Sequence, residues 1–192
     1  MARTRNRPLP ERDITDPNYR LMSRISASLE GEYVDDAEMW AESPFPWIKS
    51  RPSRQVGAIG EKLVRRWCDA RGFHTARSPD TEADLVISGL RVEVKYSRLW
   101  TDKLGYTFQQ IRDQNYEYCF CLGVSPFEVH AWFIPKSVLM IDQPPALKPQ
   151  HGGSSGRDTK WLTFPAASPP NWLQAYGGSL AQVEDLIKRG AE

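Results

Sequence analysis

Two carboxylates and one ammonium group, Asp84, Glu93 and Lys95, are spaced so that a single tight turn would bring them together. Apolar and polar residues alternate on both sides of Ser88-Gly89, and a two-residue turn there fixes the pairing. Ile87 then faces Leu90, Val86 faces Arg91, Leu85 faces Val92 and Asp84 faces Glu93. Leu85, Ile87, Leu90, Val92 and Val94 fall on one side of the ribbon, and Asp84, Val86, Arg91, Glu93 and Lys95 on the other. Like charges directly opposite one another destabilise a sheet. The pair therefore calls for a compensating cation, and hard divalent cations are held by carboxylate oxygens.

The chemistry such a set suits is phosphodiester hydrolysis. That reaction needs a nucleophilic water, neutralisation at the phosphate and help for the leaving oxygen, all of which metal ions can supply. Asp84 and Glu93 would be ligands, with the Val94 backbone carbonyl as another. Lys95 would contact the attacking water or the scissile phosphate as a positive charge. Glu61 would join from a preceding helix, as a ligand of a second metal or through a water. The plain alternative is a surface hairpin on which Lys95 merely neutralises its neighbours.

The elements that must position these groups can be read on either side. From Val56 to about Arg71, Val56, Ile59, Leu63, Trp67 and Ala70 share a helical face, with Val64 at its margin and Glu61 on its flank; Gly72 is the stop. Phe73 to Ser78 reads as a strand, followed by a Ser78-Pro79-Asp80 turn and the hairpin. Thr107 and Gln110 match a capping box, with Tyr106 and Ile111 as a staple, so a helix is expected from Thr107. Tyr118 to Val124 and Glu128 to Ile134 read as strands. A short strand from Lys160 to Phe164 and an amphipathic helix from about Leu180 to Lys188 follow. The order helix, strand, hairpin, helix, strand, strand suggests an α/β sheet with a helix on each face.

An acidic residue at a strand start, Glu-x-Lys on the next strand and a preceding helix with a glutamate together resemble the PD-(D/E)xK nuclease superfamily. Its αβββαβ order matches the elements from Val56 to about Val124, and the likeness covers roughly residues 55 to 136. Gly57-Ala58-Ile59-Gly60-Glu61, Glu93-Val94-Lys95 and Phe108-Gln109-Gln110-Ile111-Arg112 look like restriction-endonuclease-type members. The resemblance implies a mixed central β-sheet flanked by helices and a Mg²⁺-dependent deoxyribonuclease, with Mn²⁺ as a substitute. Asp84, Glu93 and Lys95 would be its catalytic centre, assisted by Glu61, with Gln109 and Gln110 as active-site or DNA contacts. The superfamily's first carboxylate often follows proline. Here Asp84 follows Ala83, while Pro79-Asp80 lies earlier; the register would put Asp80 opposite Ser97, too far along to share a metal with Glu93.

The implied function is a type II restriction-like endonuclease cutting duplex DNA at a specific site, as a homodimer because a palindrome suits a twofold pair of sites. A junction-resolving or repair nuclease is the runner-up, and a catalytically inactive nucleic-acid-binding protein on the same fold is the alternative outside enzymes. Arg98, Trp100, Lys103 and Tyr106 mix cations with aromatics and could line a DNA groove.

The chain has 192 residues and a formal net charge of +1, which does not by itself announce a nucleic-acid binder. No apolar run of about 18 residues suggests a membrane span, and the start lacks the apolar stretch of a signal peptide. Cys68, Cys119 and Cys121 show neither metal-binding spacing nor a disulfide framework, so a reducing, cytoplasmic setting is expected. His74, His130 and His151 likewise lack ligand spacing. Residues 1 to about 24 carry six arginines against three acids and read as a loosely packed arm, whereas 30 to 42 carry six acids and no base. Trp40, Phe45, Trp47 and Ile48 look like an irregular apolar segment. Residues 1–54 are thus expected to be an extension packing on a 55–136 core. A C-terminal extension, 137–192, would contain a long loop around His151–Gly156.

Overall fold

The hairpin forms in the register its turn dictates. In the computed structural model, which describes residues 16–30, 38–141, 147–149 and 159–191, Leu85 pairs with Val92, Val86 with Arg91 and Ile87 with Leu90. Ser88 and Gly89 both have positive φ, 49° and 89°, the signature of a type I′ turn whose twist matches that of the strands. Asparagine tolerates the first of these positions better than serine. Ser88→Asn is therefore expected to raise the urea midpoint, by a few tenths to about 1 kcal/mol in stability.

The chain divides into two compact units, Met1–Ala41 and Glu42–Glu192. In the first, helix α1 runs from Pro17 to Glu30. Asp16 accepts the Asn18 N–H at 2.8 Å, a cap followed by proline at the first helical position. The loosely packed arm expected to about residue 24 is thus helical from Pro17; residues 1–15 lie outside the described residues.

The second unit contains α2 (Pro46–Lys49), α3 (Ser53–Ala70), β1 (Thr75–Arg77), β2 (Leu85–Ile87), β3 (Leu90–Arg98) and β4 (Gly105–Ile111). These are followed by β5 (Tyr118–Val124), β6 (Val129–Pro135), α4 (Lys136–Leu139), β7 (Lys148–Pro149), β8 (Lys160–Pro165) and α5 (Leu180–Gly190). A five-stranded mixed sheet has the order β1-β2-β3-β5-β6. Its only parallel pair among the described residues is β3 with β5, Glu93 lying level with Cys119 and Lys95 with Cys121. In α2 Ile48 is buried, but Trp47 stands in solvent. The His151–Gly156 loop lies outside the described residues.

The two faces of the sheet are covered differently from the expectation of one helix each. On one face, α3 lays Trp67 edge-on to Phe120, with ring centroids 5.9 Å apart, and an Arg71–Glu184 ion pair joins α3 to α5. The other face is roofed by a second sheet, β4-β8-β7. Tyr106, Phe108 and Phe164 of this roof pack with Cys119, Cys121, Trp132 and Ile134 of the main sheet in one buried cluster.

The helix expected from Thr107 is therefore strand β4. Tyr106 pairs with Phe164, Thr107 with Thr163 and Phe108 with Leu162. Burying three large aromatic rings between two sheets outweighs a local capping box. The ladder shifts register between Phe108 and Ile111, and Gln110 takes φ 57° there, so the two glutamines occupy a bulge and not a helix start.

On α3 the residues buried are Gly60, Val64 and Cys68, one step round from the expected face, while Ile59, Leu63 and Trp67 are half-buried and Ala70 is exposed. The cause is Gly60. A side chain there would collide with Cβ and the ring of Tyr96, so the glycine lets the helix backbone lie directly on β3.

Candidate active site

The site forms at the edge where β2 stops. Asp84 immediately precedes β2; its N–H donates to the Val92 carbonyl at 3.1 Å. Its Oδ2 accepts the Val94 N–H at 2.7 Å. The carboxylate thus occupies the place that the next backbone carbonyl of a longer β2 would take, and it lies beside Glu93 as the register requires. Past this point β3 has no paired strand on that edge among the described residues.

Glu93 and Lys95 share the face that carries Cys119 and Cys121. Glu93 is 6% exposed, and its Oε1 lies 2.6 Å from Lys95 Nζ. Burial pushes the Glu93 carboxyl above its ordinary value; Lys95 opposes the rise and Asp84 adds to it. Burial works to lower the Lys95 ammonium, but the Glu93 carboxylate outweighs it and the group ends above its usual value. Burial of an ion pair beside a second carboxylate is costly, and such perturbed groups cluster at functional sites.

Glu61 comes from α3, which packs on the opposite face against Tyr96. It is half-buried, and its carboxyl is raised first by burial and then by Asp84, with Lys95, Arg77 and Lys62 acting against. Glu61, Asp84, Glu93 and Lys95 are therefore brought into one electrostatic neighbourhood. Arg77 also belongs to it, at the end of β1 opposite Leu85, and local sequence gave no sign of this because the β1–β2 ladder places it. Tyr116 was missed as well. It is buried, its hydroxyl has no hydrogen-bond partner among the described residues, and Glu93 is among the groups that raise it after burial.

Asp80 is not part of the site, and it does not lie opposite Ser97. Its carboxylate takes Arg91 Nη2 at 2.8 and 3.0 Å, Ser78 Oγ at 3.2 Å and the Glu82 N–H at 2.9 Å. The chain leaves the ladder before Asp84 and folds this turn back over Arg91.

Gln109 and Gln110 follow Thr107, whose N–H donates to Ser97 Oγ at 3.0 Å. No hydrogen bond joins Gln109, Gln110, Arg98 or Lys103 to Asp84, Glu93 or Lys95 among the described residues. Arg98 instead lies over the Trp100 ring, 5.7 Å from its centroid. His130 Nδ1 sits 2.7 Å from the Tyr106 hydroxyl, and all three cysteines are free and buried, so these groups are structural.

No group of three or more His, Cys, Asp or Glu residues is gathered to hold a metal among the described residues. Mg²⁺ does not need such a cage, since it keeps several waters and binds through one or two carboxylates plus substrate phosphate. The donor set fits that mode: Asp84 and Glu93 are adjacent hard-oxygen donors, and Glu93 is disfavoured as an anion without a cation. No helix of the described residues is long and apolar enough to cross a membrane.

No family model matches the chain, and no curated protein matches it. Among solved structures it is similar to the bacterial homing endonuclease I-Ssp6803I, at 15% identity and a TM-score of 0.51, over 73% of this chain and 95% of that one. It is also matched by the Holliday junction resolvase Hjc of the archaeal hyperthermophile Archaeoglobus fulgidus, at 14% identity and a TM-score of 0.38, over 67% and 95%. At 15% identity the likeness to the homing endonuclease is one of fold. The chain has a restriction-endonuclease-like α/β fold built on a mixed five-stranded sheet.

Proposed function

We propose that the chain is a divalent-metal-dependent endonuclease that cuts duplex DNA at a specific site, acting as a homodimer. The observation that carries the reading is the junction of Asp84, buried Glu93 and Lys95 at the open edge of β3, on a fold shared with a homing endonuclease. Asp84 and Glu93 would hold Mg²⁺ or Mn²⁺, with the Val94 carbonyl as a further donor. When bound, the cation supplies Lewis acidity at the scissile phosphate and lowers the pKa of nearby water.

The remaining work falls to side chains of this chain. Lys95 Nζ is held by Glu93 at the site's centre, where it donates hydrogen bonds to a phosphate oxygen or to the attacking water as charge develops. Glu61 orients water from the helix side. Arg77 places a second cation at the same edge, and Arg98 and Lys103 extend the positive charge along the continuation of β3 toward the DNA backbone. Gln109 and Gln110, in the β4 bulge, support the site or contact DNA.

The test is digestion of plasmid and phage DNA, and of a four-way junction, with Mg²⁺ or with EDTA, followed by sequencing of the ends. Discrete duplex fragments that vanish with EDTA support the reading. Cutting confined to the junction would replace it with a resolving enzyme, and cutting in EDTA would exclude a metal-dependent site.

Protons and the cation compete for the same oxygens, which fixes the pH dependence. Glu61 and Glu93 hold protons above their ordinary value of 4.5. Their protonation stabilises the metal-free fold at low pH, and that contribution is lost as pH rises through the raised values. The Tm difference between Mg²⁺ and EDTA is therefore expected to widen from about pH 4 to about pH 7. A difference that is flat or that narrows with rising pH counts against carboxylate ligation.

A further inference from the structure

Beside the site stands a buried tyrosine whose hydroxyl nothing uses. Tyr116 is 3% exposed, and its hydroxyl is buried with no hydrogen-bond partner among the described residues. Leaving such a group unpaired costs stability, so its place calls for a reason. The ring itself is firmly held. It belongs to the buried cluster that contains Cys119 and Cys121, the residues level with Glu93 and Lys95 on the neighbouring strand. Lys136 Nζ lies 5.6 Å from the ring centroid and is anchored by the Gln114 carbonyl at 2.8 Å and Asp113 Oδ1 at 3.0 Å. The next residue, Glu117, donates its N–H to the Arg91 carbonyl of β3 at 2.9 Å, which fixes the backbone against that strand.

After burial, the groups that act on the hydroxyl are Cys119, Glu93, Cys121 and Asp113. The two thiols lie against each other, Sγ to Sγ 3.7 Å, and sulfur is a weak acceptor. Asp113 is exposed and paired with Lys136. Glu93 is the strong buried acceptor of the set. A carboxylate can take several hydrogen bonds, and the Lys95 ammonium at Oε1 does not exhaust that capacity. Once Glu93 serves as a cation ligand and Lys95 turns to a phosphate oxygen, the carboxylate loses that ammonium but keeps its burial. Carboxylates that bind metals are ordinarily held by hydrogen bonds of their own. Tyr116 supplies a neutral donor already clamped in place, and the flexible stem of Glu93 is the part that turns.

We infer that Tyr116 is a positioning residue for Glu93: its hydroxyl donates to the Glu93 carboxylate when Glu93 serves as a cation ligand, and so orients that ligand. The inference rests on the divalent-cation reading above and adds to it the group that holds the ligand. The hydroxyl left unpaired in the cation-free protein becomes satisfied in the loaded one, and this difference between the two states favours cation binding.

The experiment compares the parent with Tyr116→Phe, which removes only the hydroxyl and leaves the ring beside Lys136. Thermal melts of the full chain are run in EDTA and in Mg²⁺ alone over about three decades of concentration. In EDTA the Tm of Tyr116→Phe should equal or exceed the parent's, since the lost hydroxyl had no partner there. In Mg²⁺ its Tm should begin to rise only at about tenfold higher concentration, the usual loss when a ligand's supporting hydrogen bond is removed. Cleavage by the variant should recover as Mg²⁺ is raised by the same factor, a change in cation dependence and not in limiting rate. A tyrosine with only a packing role would lower Tm equally in EDTA and in Mg²⁺ and leave the Mg²⁺ onset unmoved, which overturns the inference. So does cleavage that stays low at every Mg²⁺ concentration, which would place the hydroxyl in the reaction itself. A parent whose Tm ignores Mg²⁺ overturns the cation reading and this inference with it. A parent that responds, with Tyr116→Phe responding identically, overturns this inference alone.

Discussion

Lys95→Ala is expected to reduce Mg²⁺-supported cleavage by about two to three orders of magnitude, the usual consequence of removing a preorganised charge from the reacting phosphate. The geometry makes a second demand of this variant. Glu93 is buried and its Oε1 is 2.6 Å from Lys95 Nζ, so the substitution strands a carboxylate in the protein. Breaking such a pair costs about 3–5 kcal/mol when the remaining charge stays ionised. Glu93 escapes part of that cost by taking up a proton, because burial and Asp84 already raise its pKa. The loss of stability should accordingly be largest near neutral pH and shrink as pH falls toward the carboxylate range. Urea melts across pH, run beside cleavage assays, separate the two effects. Lys95→Ala with parental cleavage would remove Lys95 from the chemistry. Unchanged stability at every pH would mean that Glu93 is not held as described.

Gly60→Ala and Gly57→Ala, three residues apart on α3, should shift stability in opposite directions. In an exposed helix interior the change from glycine to alanine is worth about 1 kcal/mol in favour of the fold. At Gly57 nothing stands within 4 Å of an added Cβ, so that gain should appear in full. At Gly60 the same atom would meet the Cβ and ring of Tyr96. Neither backbone-anchored Cβ can swing away, so α3 must lift from β3. The expected net effect is a loss of about 1–3 kcal/mol despite the better helix propensity. Lifting the helix also withdraws Glu61 from Asp84 and Lys95, so cleavage by Gly60→Ala should fall even at temperatures where it remains folded. Denaturant midpoints for the pair give the answer directly. Stabilisation by both would show that α3 does not pack on Tyr96.

Where the determining forces are local, the sequence was sufficient. Ser88-Gly89 selects a type I′ turn, the turn selects the register, and alternation of Leu85, Ile87, Val92 and Val94 reinforces it, so Asp84 beside Glu93 could be read from fifteen residues. Helix α1 is different: Asp16-Pro17 and the Leu21, Ile25, Leu29 spacing are helix signals, but six arginines over residues 1 to 24 give the stretch the composition of the loosely packed arm that was expected there.

Tertiary contacts decided the rest. The Thr107 segment has an acceptable helix signal, but its strand partner lies 56 residues away at Thr163, and cross-strand aromatic burial is invisible until the two sheets face each other. The buried line of α3 followed Gly60 because close approach to Tyr96 favours the residue with no side chain, which a count of apolar residues cannot anticipate. Asp80 reached Arg91 because the loop before β2 doubles back. Arg77 and Tyr116 entered the site only through their neighbours in the assembled sheet. The sequence by itself determined the pair of acids and its lysine, since one turn aligns them. The tertiary structure decided that Glu93 is buried, by roofing its face with β4 and β8, and that Glu61 joins from the helix packed on the opposite face, within the electrostatic reach of Asp84 and Lys95.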